Sequence, residues 1–429
     1  MERTLVRDIK VGKPVLLKGW VHEIRSLSKL KFLLLRDYTG IVQCVVSGDL
    51  MNETDGIGDE YVVEIEGRAK KASIKSDIER KDLEIEVESI KIISKSESLP
   101  IQVKEKASDA NLPTRLDYRF LDTRKREINA IFKVRSSFYR HMSDFFEGNG
   151  FTIINTPKLT TIGLESGAES FEVKYFDKKV YLAQSPQFYK QMFVMGGFER
   201  VFEIGAVYRA EKSHTTRHLT EFMGADIEMG FIKDENDVMD VLEEMMKYVI
   251  QNIKKERESE LKKLGVDIKI PKKIPRIPMS ELKKVLADKG KKLKEDDDLD
   301  SEAEKMIGEY VLKKYGEEFV FVTEYPASVR PFYHMRPDNK KLTRSFDLLW
   351  RGVEVTTGAQ REHRLDILEK QAKEKGVKID PIYAAIFKYG AIPHGGAGMG
   401  LDRLIQRLLN LENIREALLL TRDPERVKP

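Results

Sequence analysis

The stretch VFEIGAVYRAEKSHTTRHLTEFMGADIEM, residues 201–229, constrains the fold more than any other part of this chain. Val201, Ile204 and Val207 before the central loop, and Phe222, Ala225 and Ile227 after it, are strand-like residues. Lys212 to Thr216 between them is short and polar, so the stretch reads as an antiparallel hairpin whose second strand begins at Arg217-His218-Leu219. Arg209 and Arg217 flank the loop. A guanidinium is planar, permanently charged and shaped to hold phosphate oxygens in pairs, so these two could grip different phosphates of one nucleotide. Phe222 offers a ring face to a purine, and Asp226 and Glu228 alternate so that both carboxylates point to one side. A plain surface hairpin with two arginines fits the same residues.

At 429 residues the chain exceeds what one core usually serves, which implies at least two domains. Lys plus Arg number 75 against 71 Asp plus Glu, a net charge of +4, so any nucleic-acid surface has to be a local patch. The single cysteine, Cys44, excludes an internal disulfide and a cysteine-rich zinc site and suits a reducing compartment. No apolar run approaches the roughly 18 residues of a membrane helix, and the N-terminus has no secretory pattern. The expectation is a soluble, cytoplasmic protein.

Residues 15–93 alternate short strands with turn residues, and five strands at this spacing suggest a small closed barrel of the oligonucleotide-binding type. The first 36 residues carry nine basic side chains against three acidic ones. Phe32 and Gln43 stand where stacking and base-edge hydrogen bonding would occur on such a barrel, although an isolated strand Phe also fits a core. Residues 100–113 are polar and aperiodic and read as a connector. A long amphipathic helix follows, with a stripe from Ile128 to Phe146 and an end marked by Gly148-Asn149-Gly150.

Beyond it, residues 165–169 form a small-residue loop with two acids, and Ser185-Pro186 opens a helix that sets Gln187 and Lys190 on one face. An exposed Lys on such a helix is ordinarily a solvated tail. Residues 234–300 read as charge-laced, solvated helices, and the acidic run at 295–298 as a loop. Asp347 and Glu354 lie on strands, and Gly395, Gly396, Gly398 and Gly400 read as a glycine-rich turn before a helix whose start favours phosphate.

Three of these stretches, in order, resemble the signatures of class II aminoacyl-tRNA synthetases. GFTIINTP at 150–157 is similar to motif 1; Arg209-x-Glu211 with Arg217-His218-x-x-Glu221-Phe222 to motif 2; and GMGLDR at 398–403 to motif 3. Over nearly the whole chain the resemblance is to the archaeal-type aspartate branch. It implies an α+β protein with an OB-fold β-barrel at 1–105, a hinge at 106–130 and a catalytic domain at 131–429, an antiparallel sheet flanked by helices. It also implies ATP as substrate, Mg2+, L-aspartate, tRNA(Asp) and a homodimer with Pro157 at its interface.

By the same resemblance, aspartate is bound by Glu165, Gln187, Phe188, Tyr189, Lys190, Arg209, Asp226, Thr357 and Arg361. ATP falls to Arg209, Ala210, Glu211, Arg217, His218, Leu219, Phe222, Glu354, Gly400, Leu401, Asp402 and Arg403. Glu354 and Thr357 are the expected metal ligands, Lys190 and Arg361 the pair around the substrate's side-chain carboxylate, and His394 a minor candidate there. Arg25, Phe32 and Gln43 are the expected anticodon contacts. At the position of His22, family members restricted to the aspartate tRNA tend to carry Trp and relaxed ones His, which points to tRNA(Asn) as a second substrate. The alternatives are an asparagine-specific relative, opposed by Lys190, and a synthetase-like protein without catalysis, opposed by the three motif arginines.

Overall fold

The computed structural model describes residues 1–104, 110–161, 170–212, 215–337 and 341–429. Two compact units result, Met1–Thr114 and Arg115–Pro429. Residues 115–130 fold with the second unit: Arg119 is buried, pairs with Asp122 at 2.7 Å and donates to the carbonyls of Glu416 and Leu418.

In the first unit β1 (Pro14–Ser26), β2 (Leu30–Asp37), β3 (Gly40–Ser47), β4 (Val62–Lys71) and β5 (Leu83–Ser94) close a barrel in the order β1-β2-β3-β5-β4. Strand alternation sends Leu33, Leu35, Val42, Cys44 and Val46 into its core. Phe32 and Gln43 have the opposite parity. They belong to the outer face, so Phe32 is not a core residue of the barrel.

The second unit is built on an eight-stranded sheet. Its strands are β6 (Thr152–Ile153), β7 (Arg200–Tyr208), β8 (Glu221–Gly230), β9 (Arg276–Pro278), β10 (Phe319–Thr323), β11 (Ser345–Trp350), β12 (Glu354–Gln360) and β13 (His394–Gly400), in the order β9-β10-β11-β12-β13-β8-β7-β6. The six central strands pair antiparallel, and β9 and β6 join the ends parallel. Against one face pack α1 (Arg126–Gly148) and α3 (Glu235–Glu256), which bury Val134, Phe138, Phe146, Leu242, Met246 and Val249 in the main core. Between them in sequence lies the short α2 (Gln187–Phe193).

Three expectations change and one holds. The hairpin forms, but β8 begins at Glu221, so Arg217, His218 and Leu219 stay in the loop: the hairpin's last cross-strand bond runs from the Arg209 N–H to the Thr220 carbonyl, and the Thr220 N–H donates instead to the carbonyl of Arg422. Residues 234–300 are not solvated throughout, because one face of α3 is core and β9 extends the sheet. The acidic run is a loop, as read, and the Lys283 ammonium donates to the carbonyls of Lys294, Glu295 and Asp297 at 2.7–2.8 Å. The glycines at 395–400 form strand β13, not a turn.

That strand has to be glycine-rich. A Cβ on Gly396 would lie 2.1 Å from the carbonyl oxygen of Ile227 and 2.2 Å from Glu228 Oε2. No described helix is long and apolar enough to cross a membrane. Gly396→Ala is expected to destabilise the protein by at least about 1–3 kcal/mol, the range for overpacking. Gly148→Ala, with nothing within 4 Å of the added carbon, should stay within about 1 kcal/mol of the parent; denaturant midpoints measured side by side check both.

Candidate functional site

Sheet register lays out the site. Asp226 of β8 pairs with Gly398 of β13, Gly398 with Thr357 of β12, and Thr357 with Asp347 of β11, so these residues form one row across the sheet. Gly224 and Gly400 pair on the same two strands. Gly224, Gly398 and Gly400 have no side chains, and all three line a cavity of about 250 Å3 whose floor is therefore backbone. The side chains at its wall come from segments far apart in sequence: Gln187, Arg209, Glu211, Arg217, His218, Leu219, Phe222, Asp226, Glu354, Thr357, Arg361, Asp402 and Arg403.

At one end of the cavity four buried charges interlock. The Lys190 ammonium lies 2.7 Å from Asp226 and 3.5 Å from Glu228, and Arg361 donates to Glu228 at 3.0 and 3.2 Å. Lys190 is 1% exposed, so it is no solvated tail. It stands behind Asp226, whereas Arg361 faces the cavity directly. Burial opposes ionisation of Glu228, but Arg361 and Lys190 hold its carboxyl below the usual range.

Arg361 also donates to Gln187 Oε1 at 3.2 Å and to His334 Nε2 at 3.1 Å. Because a guanidinium cannot accept, that nitrogen of His334 is the unprotonated one; burial and then Arg361 push the imidazole well below its usual range.

Orientation reaches this corner through a chain of hydrogen bonds. Gln187 Nε2 donates to Gln191 Oε1 at 3.0 Å, and Gln191 Nε2 meets His394 Nε2 at 2.8 Å. His394 Nδ1 faces the Ile392 carbonyl at 2.8 Å, so the proton belongs on Nδ1. His394 is neutral and one layer removed, a support for Gln191 and not a countercharge.

The other end holds the remaining arginines. Arg209 lies 5.6 Å from the Phe222 ring centroid and 3.8 Å from Glu211. Arg403 Nη1 donates to the Glu354 carbonyl at 3.1 Å and stands 3.8 Å from its carboxylate. Burial in the crowded cavity wall, with Asp347 next, pushes the Glu354 carboxyl up to about 7; its side chain keeps 39% of its surface exposed, so water screens part of that effect. Thr357 donates to Asp347 and accepts from Arg330 at 3.0 Å. Burial, and then Arg403, lowers the His218 imidazole.

Several expected residues stand elsewhere. Phe188 packs on Tyr383, with ring centroids 4.3 Å apart, and the Tyr189 hydroxyl pairs with Thr160 at 3.0 Å. Neither they nor Ala210 line the cavity, and Leu401 is core. Asp402 lines it, but its two oxygens accept from Arg135 and from the Met223 backbone, which ties the helix Leu401–Leu408 to the sheet. Glu165 lies outside the described residues. Arg330, Tyr333 and His334 are in the lining without having been singled out; their signal was an Arg and a His around aromatic residues between two strands.

On the barrel, Arg25 pairs across from Phe32 and forms an exposed fork with Glu23 at 2.8 and 2.9 Å. Gln43 donates to Glu84 at 3.0 Å. His22 is the extra residue of a β-bulge, and its Nδ1 accepts from Arg36 at 2.9 Å. Arg36 is in turn paired with buried Glu60 at 2.7 Å.

Comparisons with known proteins place both units in described families. The model of class II tRNA synthetases (D, K and N) matches residues 111–424, and that of the OB-fold nucleic acid binding domain matches residues 15–93. An aspartate–tRNA(Asp/Asn) ligase of Aeropyrum pernix is 44% identical, over 99% of this chain and 97% of its own. An aspartate–tRNA(Asp) ligase of Pyrococcus horikoshii is 42% identical over 97% of each. The crystal structure of asparaginyl-tRNA synthetase from Pyrococcus horikoshii with asparaginyl-adenylate superposes with a TM-score of 0.92 at 32% identity, covering 100% of both chains.

Burial pushes His394 down to about 4. An exposed imidazole in the unfolded chain takes up its proton near ~6.5, so between those values the unfolded state binds more protons and stability falls as the pH falls. His394→Asn is expected to flatten that decline by about 2 kcal/mol. Denaturant midpoints at pH 7.5 and 4.5 measure it, and the buried His334 should leave part of the slope in place.

Proposed function

Because the chain belongs to the class II tRNA synthetases of the D, K and N group, we propose that it is an aspartate–tRNA ligase that activates L-aspartate with ATP and transfers it to tRNA(Asp). The observation that carries this is one cavity into which Arg209, Arg217, Arg361 and Arg403 converge beside Asp226 and Glu354. An oxygen of the aspartate α-carboxylate attacks the α-phosphorus in line. Pyrophosphate leaves, and a terminal ribose hydroxyl of the tRNA then takes the acyl group from the adenylate, releasing AMP.

No side chain has to act as a nucleophile, so rate enhancement comes from alignment and from fixed positive charge at the oxygens that gain charge. Arg209 holds the α-phosphate, Arg217 and Arg403 the outer phosphates, and Phe222 offers its ring face to the adenine. Asp226 receives the substrate ammonium. Arg361 meets the side-chain carboxylate, and Lys190 behind Asp226 adds positive potential that an amide would not use. Glu165 and the homodimer, with exposed Pro157 next to edge strand β6, belong to the same reading, as does a cytoplasmic location.

Magnesium fits the phosphate end. Glu354, Thr357 and Asp347, its partner across the strands, are hard oxygen donors, the kind magnesium takes alongside water and phosphate oxygens. When bound, it would neutralise charge on the triphosphate.

On the barrel, Phe32, Arg25 and Gln43 offer a ring, a cation and an amide on one outer face, which suits unstacked anticodon bases. A histidine at the bulge, not a bulky indole, supports charging of tRNA(Asn) as well. Aspartate-dependent pyrophosphate exchange tests the core of the proposal, and exchange supported by asparagine instead would refute it. Arg361→Lys, which loses the fork, should lower kcat/KM for aspartate by about 100-fold or more. His22→Trp should reduce charging of tRNA(Asn) more than of tRNA(Asp); equal loss on both would count against the second substrate.

A further inference from the structure

Glu304 stands on α5 (Ser301–Tyr315), the helix that follows α4 (Met279–Asp288) in an apolar cluster separate from the main core. Buried Ala303 and Ile307 fix that helix in the cluster, and Glu304 beside them is 8% exposed. Its Oε2 accepts from Arg217 Nη1 at 3.0 Å and lies 3.5 Å from the backbone nitrogen of Glu354. The hydroxyl of Ser301, one turn earlier on α5, meets Nη2 of the same guanidinium.

Arg217 belongs to the β7–β8 loop, which has no strand pairing at that point, yet its side chain lines the cavity. A long cation on an unpaired loop would lose considerable rotamer entropy on gripping a phosphate, unless something had already fixed it. Glu304 itself does not line the cavity.

We propose that Glu304 is a positioning residue for the nucleotide: with Ser301 it holds Arg217 from behind, so that the guanidinium meets the outer phosphates of ATP already aimed. The inference rests on the ATP-dependent reading above and adds a residue from α5 to it. Burial tends to raise the Glu304 carboxyl, and Arg217 is the strongest influence in the other direction, as expected of a pair whose partners depend on each other. The opposite arrangement, a carboxylate that competes with phosphate for Arg217, would have the reverse effect on ATP affinity.

Full-length Glu304→Ala, Glu304→Gln and Ser301→Ala separate these. KM for ATP and for aspartate would be taken from aspartate-dependent pyrophosphate exchange, and ATP affinity read by calorimetry without aspartate. Glu304→Ala should weaken ATP about ten-fold in both readouts and leave the aspartate KM within about two-fold. Glu304→Gln keeps an acceptor at the same reach and should fall between Glu304→Ala and the parent, and Ser301→Ala should shift ATP in the same direction by less. Parallel rises in both KM values, unchanged ATP affinity, or tighter ATP binding would each overturn the proposal. If the parent shows no aspartate-dependent exchange, the enzymatic reading fails while the calorimetric comparison still decides on Glu304. Should Glu304→Ala not fold, Glu304→Gln and Ser301→Ala carry the same comparison.

Discussion

The register of four antiparallel strands is the constraint on which the rest of the second unit depends. Side chains on a strand alternate between faces, so a one-residue slip of β13 against β8 would carry the Asp226 row off the cavity floor. The register is enforced sterically. Gly396 admits the Ile227 carbonyl and the Glu228 carboxylate at distances that tolerate no side chain, and Gly395 is similarly enclosed by Ala359 and Ile232. A one-residue slip would bring Ala397 into the gap at Gly396 or, in the other direction, His394 into the gap at Gly395. Composition that looks like a flexible loop is what makes this part of the sheet rigid.

On that frame sits a cluster of buried charge. Lys190, Asp226, Glu228 and Arg361 sum to zero, and removing any one would leave an uncompensated ion in a poorly solvated place. Such a cluster is weak evidence of stabilisation, since the desolvation of four ions offsets much of their attraction. Its better explanation is orientation. The forks and amides from Arg361 through Gln187 and Gln191 to His394 have only one consistent donor direction, set at the far end by the Ile392 carbonyl. A substrate carboxylate would therefore meet dipoles that need no rearrangement.

Much of this was legible in the residues. The barrel strands, the hairpin, α1 with its glycine end and the helix after Ser185 follow from periodicity and capping alone. The parity of Asp226 and Glu228 set both carboxylates on one side, and the structure adds that Lys190 lies against both. What escaped is instructive: α3 looked solvated because charged residues are laced along its whole length, yet its apolar positions form a continuous buried stripe. Strand β13 was hidden because glycine has low strand propensity and its selection here is by crowding from neighbouring strands. Arg330 and His334 were missed for a different reason: an Arg and a His beside aromatic residues are only a faint local signal, and their partners, Asp347, Thr357 and Arg361, all lie downstream.

The contact between Thr220 and Arg422 has a temporal side. The loop bearing Arg209 and Arg217 takes its backbone partner from a segment some two hundred positions later, where Glu221 and Arg422 also form a bridge. During synthesis the hairpin leaves the ribosome long before that segment exists. Until it arrives, Thr220 has no such acceptor, and the loop should remain unsettled although the strands on either side can pair. The Arg209–Arg217 end of the cavity thus has to mature after most of the sheet, a delay written into the order of synthesis.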